Sequence, residues 1–520
     1  MFERKRLIQQ LTTTDTWDFI IIGGGASGLG IAVDAASRGY STLLLERYDF
    51  AKGTSSKSTK LLHGGVRYLA QGDIKLVMEA LEERGRLRKN AKHLFKKQEF
   101  IIPNYQWWKG PYFLIGLKLY DWLSKRLSLG SSKLVKKATI INTLPTLKRQ
   151  GLSNGVSYFD GQFDDARLAL NLAQTAIEKG ATVLNYINVT QFEKGENGQI
   201  KFVHAEDSET QKKYKLKGKA IVNATGVFTD SVQKMLNPNH KKTIIPSQGI
   251  HLMLERSFLE SDTAIMIPKT SDGRVLFIIP WHDKVIAGTT DTLIKKPKIE
   301  PKPLKKEVRF ILDTINQYLT KTATEKDILS VFSGLRPLAK PKNDTETKEV
   351  SRSHKIIMDE NLVSIVGGKW TTYRKMAEDT VNEIVESFQF PKQPCITHKL
   401  SIYGNSKETN KKPDYLSFYG SVLIDYLAFE KTNPTFKEKI HPNYNFTKGQ
   451  VIWAVRTEMS RTVEDFLARR IRLLLLDAKA AKEAAPIVAA IMAKELGHTK
   501  QWETQQLEDF SILSEKYLLK

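Results

Sequence analysis

Short apolar runs alternate with a helix-like stretch at the start of the chain. Residues 19–22 are an unbroken apolar run, which is typical of a parallel strand buried on both faces. A segment rich in Ala and Gly follows, and Gly39 offers the left-handed residue that often ends a helix. Residues 42–45 form a second apolar run. This order predicts a strand, a helix with small side chains and a second parallel strand.

The turn between the first strand and the helix carries a glycine signature. Gly23, Gly25 and Gly28 match G-x-G-x-x-G, in which the glycines allow a tight turn, the approach of a pyrophosphate to the backbone, and close packing of helix and strand. Glu46 ends the second strand, close to the roughly 20 positions after the last glycine at which an acid binds an unphosphorylated ribose. The pattern predicts a dinucleotide site and favours FAD or NAD over NADP.

Other segments extend this nucleotide-binding pattern and add two further regions. Residues 219–226 and 362–374 are each predicted to contain a strand that ends in a turn of small residues, where a backbone approaches a cofactor. Residues 166–179 are predicted to form an amphipathic helix capped by Asp164 and Asp165. The β-prone runs within residues 244–291 suggest an antiparallel sheet, and residues 450–497 have the spacing of a helical domain.

Composition excludes several classes of protein. The chain of 520 residues is 41% hydrophobic and 26% charged, which is ordinary for a globular protein of two or three domains. Its one cysteine, Cys395, excludes internal disulfides, and the histidines lack metal-binding spacings, so no metal is predicted. There is no apolar window of about 18 residues for a spanning helix and no apolar stretch for a secretory signal. The chain is therefore predicted to begin in the cytoplasm.

The charge suggests an anionic partner. Lys and Arg number 80 against 57 Asp and Glu, so the net charge is +23. This balance attracts an anionic membrane leaflet, a phosphorylated substrate or nucleic acid, although a solvated lysine-rich surface is the simpler reading. No helix-turn-helix, zinc-finger or RNP-like pattern accompanies the charge, so no nucleic-acid partner is predicted.

Several motifs along the chain point to one family. They are TSSKSTKLLHGGVRYL at 54–69, FDDARL at 163–168, NATG at 223–226, IIPW at 278–281, GTTD at 288–291, SGLRPL at 333–338 and GGKWTTYRKMAE at 367–378. With them the chain closely resembles the FAD-dependent, aerobic glycerol-3-phosphate dehydrogenases of the D-amino-acid-oxidase-like flavoprotein superfamily. The resemblance covers nearly the whole chain, including residues 458–481, and its most specific parts are the HGGxRYL and GGKxTTYR blocks.

The resemblance implies a fold of class α/β with an antiparallel cap. An FAD-binding, Rossmann-like domain would be joined to a discontinuous, sheet-based substrate domain and to a C-terminal helical domain. The expected ranges are 1–95, 150–240 and 325–394 for the FAD-binding domain, 96–149 and 241–324 for the substrate cap and membrane-facing inserts, and 395–520 for the helical domain.

The resemblance also implies a reaction. The protein would oxidise sn-glycerol 3-phosphate to dihydroxyacetone phosphate by hydride transfer from C2 to the flavin N5, and electrons would pass to a membrane quinone. Three alternatives stay open: a glycerol-3-phosphate oxidase that uses O₂, another FAD-dependent oxidoreductase acting on a hydroxy or amino acid, and a structural membrane-associated protein. The oxidases of the family typically carry an additional insert that this chain lacks, which favours the dehydrogenase.

By motif position, the resemblance assigns residues to each task. The active-site groups would be Arg67, Tyr68, His251, Arg336, Arg352 and Lys369. Arginine forks and a lysine ammonium suit a phosphate clamp, and a neutral imidazole suits the removal of a hydroxyl proton near neutral pH. The cofactor-binding residues would be Gly23, Gly25, Gly28, Glu46, Arg47, Thr54, Ser55, Ser56, His63, Gly64, Gly65, Val189, Ala224, Gly226, Gly334, Gly368, Lys369 and Thr371.

Simpler roles compete with these assignments. Arg352 could form a surface ion pair, and His251 could be a hydrogen-bonded core histidine. His63 could only shape its loop, and Ser55 and its neighbours could be plain loop polarity. Lys369 could face the flavin's pyrimidine edge instead of the phosphate.

Residues 106–123 (QWWKGPYFLIGLKLYDWL) mix Trp, Tyr and Lys with aliphatic residues. This blend is typical of elements at a membrane interface, and packing in the interior is the alternative. The protein is therefore predicted to bind an anionic membrane surface peripherally, on the inner, cytoplasmic face. The oligomeric state, a homodimer included, is left open.

Overall fold

The computed structural model of the protein describes residues 2–65, 73–124, 127–340, 354–406 and 414–519. The strands are Trp17–Ile22 (β1), Thr42–Leu45 (β2), Leu61–Leu62 (β3), Phe95–Asn104 (β4), Lys133–Lys136 (β5), Asn154–Phe163 (β6), Thr182–Leu184 (β7), Ile187–Lys194 (β8), Ile200–Asp207 (β9), Lys213–Leu216 (β10), Gly218–Asn223 (β11), Ile244–Glu255 (β12), Ala264–Ile267 (β13), Leu276–Trp281 (β14), Lys284–Gly288 (β15), Thr292–Leu293 (β16), Ile328–Ala339 (β17), Lys355–Asp359 (β18) and Leu362–Val366 (β19). The α-helices are Arg4–Thr13 (α1), Ala26–Ser37 (α2), Ile74–Asn90 (α3), Lys109–Ser124 (α4), Lys137–Thr143 (α5), Asp165–Glu178 (α6), Thr229–Leu236 (α7), Lys305–Tyr318 (α8), Tyr373–Ser387 (α9), Asp414–Ser417 (α10), Leu423–Lys431 (α11), Lys448–Thr457 (α12), Leu473–Leu476 (α13), Ala478–Leu496 (α14) and Lys500–Ser514 (α15).

A mostly parallel, six-stranded sheet forms the nucleotide-binding layer. Its strand order is β18-β19-β11-β1-β2-β7, and β1 runs parallel to both β11 and β2. The predicted strand–helix–strand unit is confirmed, since β2 covers residues 42–45 and Gly39 has a φ of +89° after α2. Phe19, Ile20 and Ile21 are fully buried, as expected of a strand covered by helices on both faces.

The described residues also form a second, ten-stranded sheet. Its order is β16-β12-β15-β14-β13-β4-β6-β3, with β17 paired to β12 and β5 to β6. The antiparallel pairing of β12, β14 and β15 confirms the sheet predicted for residues 244–291. β6 and β17 fall in ranges expected for the FAD-binding domain, yet they pair along their length with β4 and β12 of this sheet. The domain boundaries themselves stay a prediction.

The C-terminal region is helical, as predicted, and it packs on the ten-stranded sheet. Phe466, Leu467 and Leu474 join Met253 and Phe332 of that sheet in one apolar core. The helical spacing does not continue as one regular helix, because residues 465–470 form a π-helix and Arg472 is left-handed, with a φ of +61°. Arg470 donates from two nitrogens to the buried Asp49 carboxylate at 2.7 and 2.9 Å, so a specific ion pair accompanies the irregular turn.

One face of α4 is apolar and exposed to solvent. Of the side chains there, Trp122 is 72% exposed and Ile115 74% exposed, and Trp107 just before the helix is 75% exposed. We call this face the α4 stripe; it consists of Trp108, Tyr112, Ile115, Leu119 and Trp122. Its spacing of three and four residues places these side chains on one side of the helix. No helix in the described residues is long and apolar enough to cross a membrane.

Candidate active site

The glycine turn after β1 forms a cradle with almost no side chains. Gly23 has a φ of +108°, and a Cβ there would lie 2.8 Å from the Ala224 carbonyl oxygen, so only glycine fits. A Cβ on Gly28 would lie 1.9 Å from the Gly23 carbonyl oxygen, which explains the close packing of α2 on the turn. A Cβ on Gly25 would meet only the Ser55 Oγ, at 3.1 Å. Gly25 thus lies open toward the cavity at the N-terminus of α2.

The Glu46 carboxylate is held beside this turn. Its oxygens accept hydrogen bonds from the backbone N–H of Gly24 at 2.6 Å and of Tyr48 at 2.8 Å. Burial raises the pKa of Glu46, and these two N–H groups act against that shift by stabilising the carboxylate. The carboxylate therefore has a fixed position at the end of β2, where a ribose is expected to bind.

A cavity of about 600 Å³ extends from the glycine turn to the ten-stranded sheet. Most residues predicted to bind the cofactor line it: Gly23, Gly25, Glu46, Arg47, Thr54, Ser55, His63, Val189, Ala224, Gly226, Gly334, Gly368, Lys369 and Thr371. An extended nucleotide cofactor needs such a cleft, with backbone turns at one end and polar side chains at the other. Their contacts with a cofactor stay predictions.

Some described residues that are predicted to touch the cofactor are not among those that line the cavity. Gly28 packs α2 against the turn, and the Ser56 carbonyl accepts a hydrogen bond from Lys60 Nζ at 2.6 Å. The Gly64 N–H donates to the Tyr120 hydroxyl at 2.8 Å, and Gly65 turns the chain with a φ of +79°. These contacts serve packing and loop shape, and the contacts of these residues with a cofactor stay predictions. The predicted residues Arg67, Tyr68 and Arg352 lie outside the described residues.

His251 is buried on β12 and lines the cavity. Its ring stacks on Phe332 at a centroid distance of 4.9 Å, and its Nε2 lies 2.9 Å from the Thr59 Oγ1. Among the described residues the enclosed Nδ1 has no hydrogen-bond partner. Burial lowers the pKa of His251 well below its ordinary value of 6.5, and the positive charges of Arg336 and Lys60 lower it further. The imidazole is therefore neutral near pH 7.

Arg336 lines the cavity from β17, opposite Ser247 of β12. One guanidinium nitrogen donates to the Thr290 carbonyl at 3.0 Å and lies 3.4 Å from Asp291, and the other donates to the Thr289 Oγ1 at 3.1 Å. These contacts hold the guanidinium in a fixed position. A planar fork fixed in this way suits a phosphate or carboxylate ligand.

Lys369 follows the two glycines after β19 and also lines the cavity. The preceding turn is built from Gly367 and Gly368, whose φ values are +80° and +85°. The positive φ at Gly368 disfavours a residue with a side chain, and a Cβ there would also lie 2.3 Å from the end of the Met376 side chain. Within the described residues, His251, Arg336 and Lys369 therefore share one cavity, as predicted.

Sequence reasoning missed a buried pair beside His251. Lys60 is fully buried, and its Nζ lies 2.7 and 2.8 Å from the two oxygens of Asp165. Asp164 caps α6 through the Arg167 N–H, as predicted, but Asp165 serves mainly Lys60 and Ser58. Both residues stand in motifs that carry the family resemblance, but other charged residues accompany them there, so no signal in the sequence singles out this pair.

No group of His, Cys, Asp and Glu in the part of the chain that the structure describes is arranged to hold a metal ion. The residues that are present do fit FAD. The Cβ-free space at Gly25 has room for a pyrophosphate, and the fixed Glu46 carboxylate would accept hydrogen bonds from ribose hydroxyls.

Comparison with known families defines the class. The family described as FAD dependent oxidoreductase matches residues 18–368, and the C-terminal domain of alpha-glycerophosphate oxidase matches residues 361–503. The fold and the cavity are thus those of an FAD-dependent oxidoreductase, and its cofactor is FAD.

Curated relatives narrow this class. The mitochondrial glycerol-3-phosphate dehydrogenase of Schizosaccharomyces pombe is 36% identical over 95% of this chain and 86% of its own length. The probable mitochondrial glycerol-3-phosphate dehydrogenase of Dictyostelium discoideum is 39% identical, over 96% of this chain and 84% of its own length. The chain belongs to the glycerol-3-phosphate dehydrogenase family, as its motifs predicted.

Solved structures agree with this placement. The X-ray structure of the glycerol-3-phosphate dehydrogenase from Bacillus halodurans, complexed with FAD, matches with a TM-score of 0.81 and 27% identity, over 99% of this chain and 98% of that chain. The L-alpha-glycerophosphate oxidase from Mycoplasma pneumoniae matches with a TM-score of 0.57 and 16% identity, over 74% of this chain and 97% of that chain, which shows a shared fold only.

Proposed function

We propose that the protein oxidises sn-glycerol 3-phosphate to dihydroxyacetone phosphate and passes the electrons to a membrane quinone. The observation that carries the proposal is the meeting of His251, Arg336 and Lys369 in one cavity with the glycine turn. Membership of the glycerol-3-phosphate dehydrogenase family supports the choice of substrate. When bound, FAD supplies the acceptor for the hydride that leaves C2 of the substrate.

In this proposal, Arg336 and Lys369 hold the substrate phosphate. Arg336 offers a planar fork of donors and Lys369 an ammonium, and both line the same cavity. Arg352, in a motif outside the described residues, is proposed to complete the clamp, and Arg67 and Tyr68 are proposed to complete the substrate site. A phosphate dianion bound there fixes the distance of the substrate hydroxyl from His251.

His251 is proposed as the base that accepts the hydroxyl proton. Proton acceptance needs a neutral imidazole, and burial together with Arg336 and Lys60 lowers the pKa of His251. The arrival of a phosphate dianion partly offsets the charge of Arg336, which makes the imidazole a stronger base when substrate is bound. Loss of the hydroxyl proton to His251 and of the C2 hydride leaves the ketone of dihydroxyacetone phosphate.

The proposed membrane surface is the α4 stripe. Its exposed Trp, Tyr and aliphatic side chains have the composition of an interfacial element, and the net charge of +23 favours anionic lipid. Lys109 and Lys118 on the same helix add positive charge at this surface. The protein would then lie peripherally on the inner, cytoplasmic face of the membrane, where quinone is available.

The substrate and the acceptor can be tested together. The purified, yellow protein should lose its oxidised-flavin absorbance on anaerobic addition of glycerol 3-phosphate and should not do so with glycerol. A water-soluble quinone analogue should restore the absorbance faster than air does. Equal reduction by glycerol would contradict the phosphate clamp, and faster reoxidation by air would favour the oxidase alternative.

Variants test the clamp. Arg336→Ala and Lys369→Ala should each cost about 2–5 kcal/mol of transition-state stabilisation, seen as a fall in kcat/KM, because a bound dianion loses a charged donor. Arg256→Ala is a matched control, since Arg256 pairs with Asp262 away from the cavity. Retained kcat/KM in both cavity variants would refute the clamp, and flavin content measured by absorbance checks that FAD is still bound.

A further inference from the structure

The pair of Lys60 and Asp165 lies beside the active site without a part in the chemistry proposed above. The Lys60 Nζ contacts both Asp165 oxygens at 2.7 and 2.8 Å and donates to the Ser56 carbonyl at 2.6 Å. Both side chains are fully buried. A buried ion pair contributes little net stability compared with apolar residues of similar size. Its presence at this place therefore points to a role other than stability.

Asp165 organises the segment that carries Lys60. It accepts hydrogen bonds from the Ser58 N–H at 3.1 Å and the Ser58 hydroxyl at 2.7 Å, in addition to those from Lys60. Lys60 itself has a left-handed backbone with a φ of +63°, which costs a residue with a side chain free energy. The segment is thus wound around one carboxylate at the first residue of α6.

This winding presents Thr59 to His251. The Thr59 Oγ1 lies 2.9 Å from the His251 Nε2, the only ring nitrogen with a hydrogen-bond partner among the described residues. Phe332 contacts both the imidazole and the lysine: its ring stacks on His251 at 4.9 Å, and the Lys60 Nζ lies 5.3 Å from its centroid. The Lys60 side chain is fully buried and therefore shielded from water. Burial lowers the pKa of Lys60, and the Asp165 carboxylate beside it acts against that shift.

We propose that Lys60 and Asp165 form a positioning pair, which holds the Thr59 hydroxyl against His251 and packs the Lys60 side chain on the same Phe332 ring as the imidazole. The inference rests on the proposed role of His251 as base. The pair itself touches neither substrate nor reacting atoms; it acts through Thr59 and through its charge.

The charges around His251 agree with this role. Arg336 approaches from β17 with Asp291 beside it, Lys60 packs on Phe332 and pairs with Asp165, and Lys369 lines the same cavity. After burial, the positive charges of Arg336 and Lys60 are the causes that lower the pKa of His251. Removing the Lys60 charge should therefore raise that pKa, whereas Arg336 continues to lower it.

The test compares the titration of His251 in Lys60→Gln and in wild type. Protein labelled with ¹⁵N-histidine, with FAD bound and oxidised, reports the charge state of His251 directly, and His251→Gln identifies its signal among the 10 histidines. We expect the titration midpoint in Lys60→Gln to rise by about one pH unit, a tenfold change in the proton-binding constant. The acid limb of kcat/KM should rise with it, because activity needs the neutral base.

Two further variants keep the test decisive. Lys60→Gln alone leaves Asp165 buried without its cation, so Lys60→Gln/Asp165→Asn, which removes both charges but keeps hydrogen-bonding groups, provides a folded comparison. The midpoint should stay raised in the double variant, because Lys60 is the member of the pair that acts on His251. Lys57→Gln is the matched control. Lys57 lies in the same segment as Lys60 but pairs with Glu300, so its replacement should leave the midpoint unchanged.

The outcomes separate this inference from the proposed function. An unchanged His251 midpoint in Lys60→Gln and in the double variant, or an equal rise in Lys57→Gln, overturns the positioning pair. A raised midpoint without any change in the acid limb of kcat/KM supports the charge effect of Lys60 and refutes His251 as the base.

Discussion

The α4 stripe allows a quantitative prediction for membrane binding. The variant Trp107→Ser/Trp108→Ser removes Trp108 of the stripe, which is 50% exposed, and its neighbour Trp107, which is 75% exposed. Neither side chain lines the cavity, so reduction of the flavin by glycerol 3-phosphate in solution should be unchanged. The perturbation is therefore confined to the contact between protein and lipid.

The expected loss follows from the exposed area. With about 200 Å² for each Trp side chain, the exposed parts amount to about 250 Å² of mainly apolar surface. At about 25 cal/mol per Å², complete removal of this surface from water contributes about 6 kcal/mol. Insertion to half that extent contributes about 3 kcal/mol, so the double variant should bind vesicles about 100-fold more weakly.

Salt separates the two contributions to binding. The Debye length falls from about 10 Å at 0.1 M salt to about 3 Å at 1 M, which weakens attraction by Lys and Arg but not the insertion of Trp. In sedimentation with anionic vesicles, wild type should be only partly released at about 1 M salt, whereas the double variant should be released completely. Reaction with membrane quinone should slow in the variant, because access to the membrane is reduced.

The control removes exposed apolar side chains elsewhere. Ile424 and Ile512 are 69% and 64% exposed, and both lie in the C-terminal helical region outside the α4 stripe. Ile424→Ser/Ile512→Ser should bind vesicles as wild type does. Equal binding by wild type and the Trp variant, or equal loss in the Ile control, would refute the assignment of the membrane surface to α4.

Three further predictions concern the cofactor site, the fold and pH. Gly25→Val should fold, because a Cβ there meets only the Ser55 Oγ at 3.1 Å. It should lose FAD, because the valine side chain enters the space expected for the pyrophosphate. Full flavin absorbance in the purified variant would contradict the pyrophosphate cradle. Tyr120→Phe should lower the free energy of unfolding by about 1–3 kcal/mol in denaturant titration, since its hydroxyl joins the Gly64 N–H to Asp160, and unchanged stability would refute that. Burial raises the pKa of Glu464, but Lys52 and Arg469 outweigh burial and hold it at about 2, below the ordinary 4.5. The lowered pKa of Glu464 contributes folding stability that is complete above pH 4.5 and is lost as the pH falls toward 2. In Glu464→Gln, acid unfolding followed by circular dichroism should therefore show a smaller loss of stability over this pH range.

Local patterns determined the nucleotide-binding unit from the sequence alone. The strand at residues 42–45, the left-handed Gly39 and the two glycines after β19 all have the predicted conformation. Strand periodicity and glycine turns depend on interactions over a few residues, so they can be read without knowledge of the fold. Motifs with high specificity also identified the family and its cofactor.

Tertiary structure decided how distant segments meet. Lys60, Asp165 and His251 come from three separate parts of the chain, and β6 and β17 joined a sheet that their neighbours in sequence did not indicate. The irregular turn at residues 465–470 likewise accompanies the pairing of Arg470 with Asp49, far away in the sequence. A buried charge is stable only beside a partner with suitable geometry, and that partner is chosen by the packing of the whole chain rather than by local sequence.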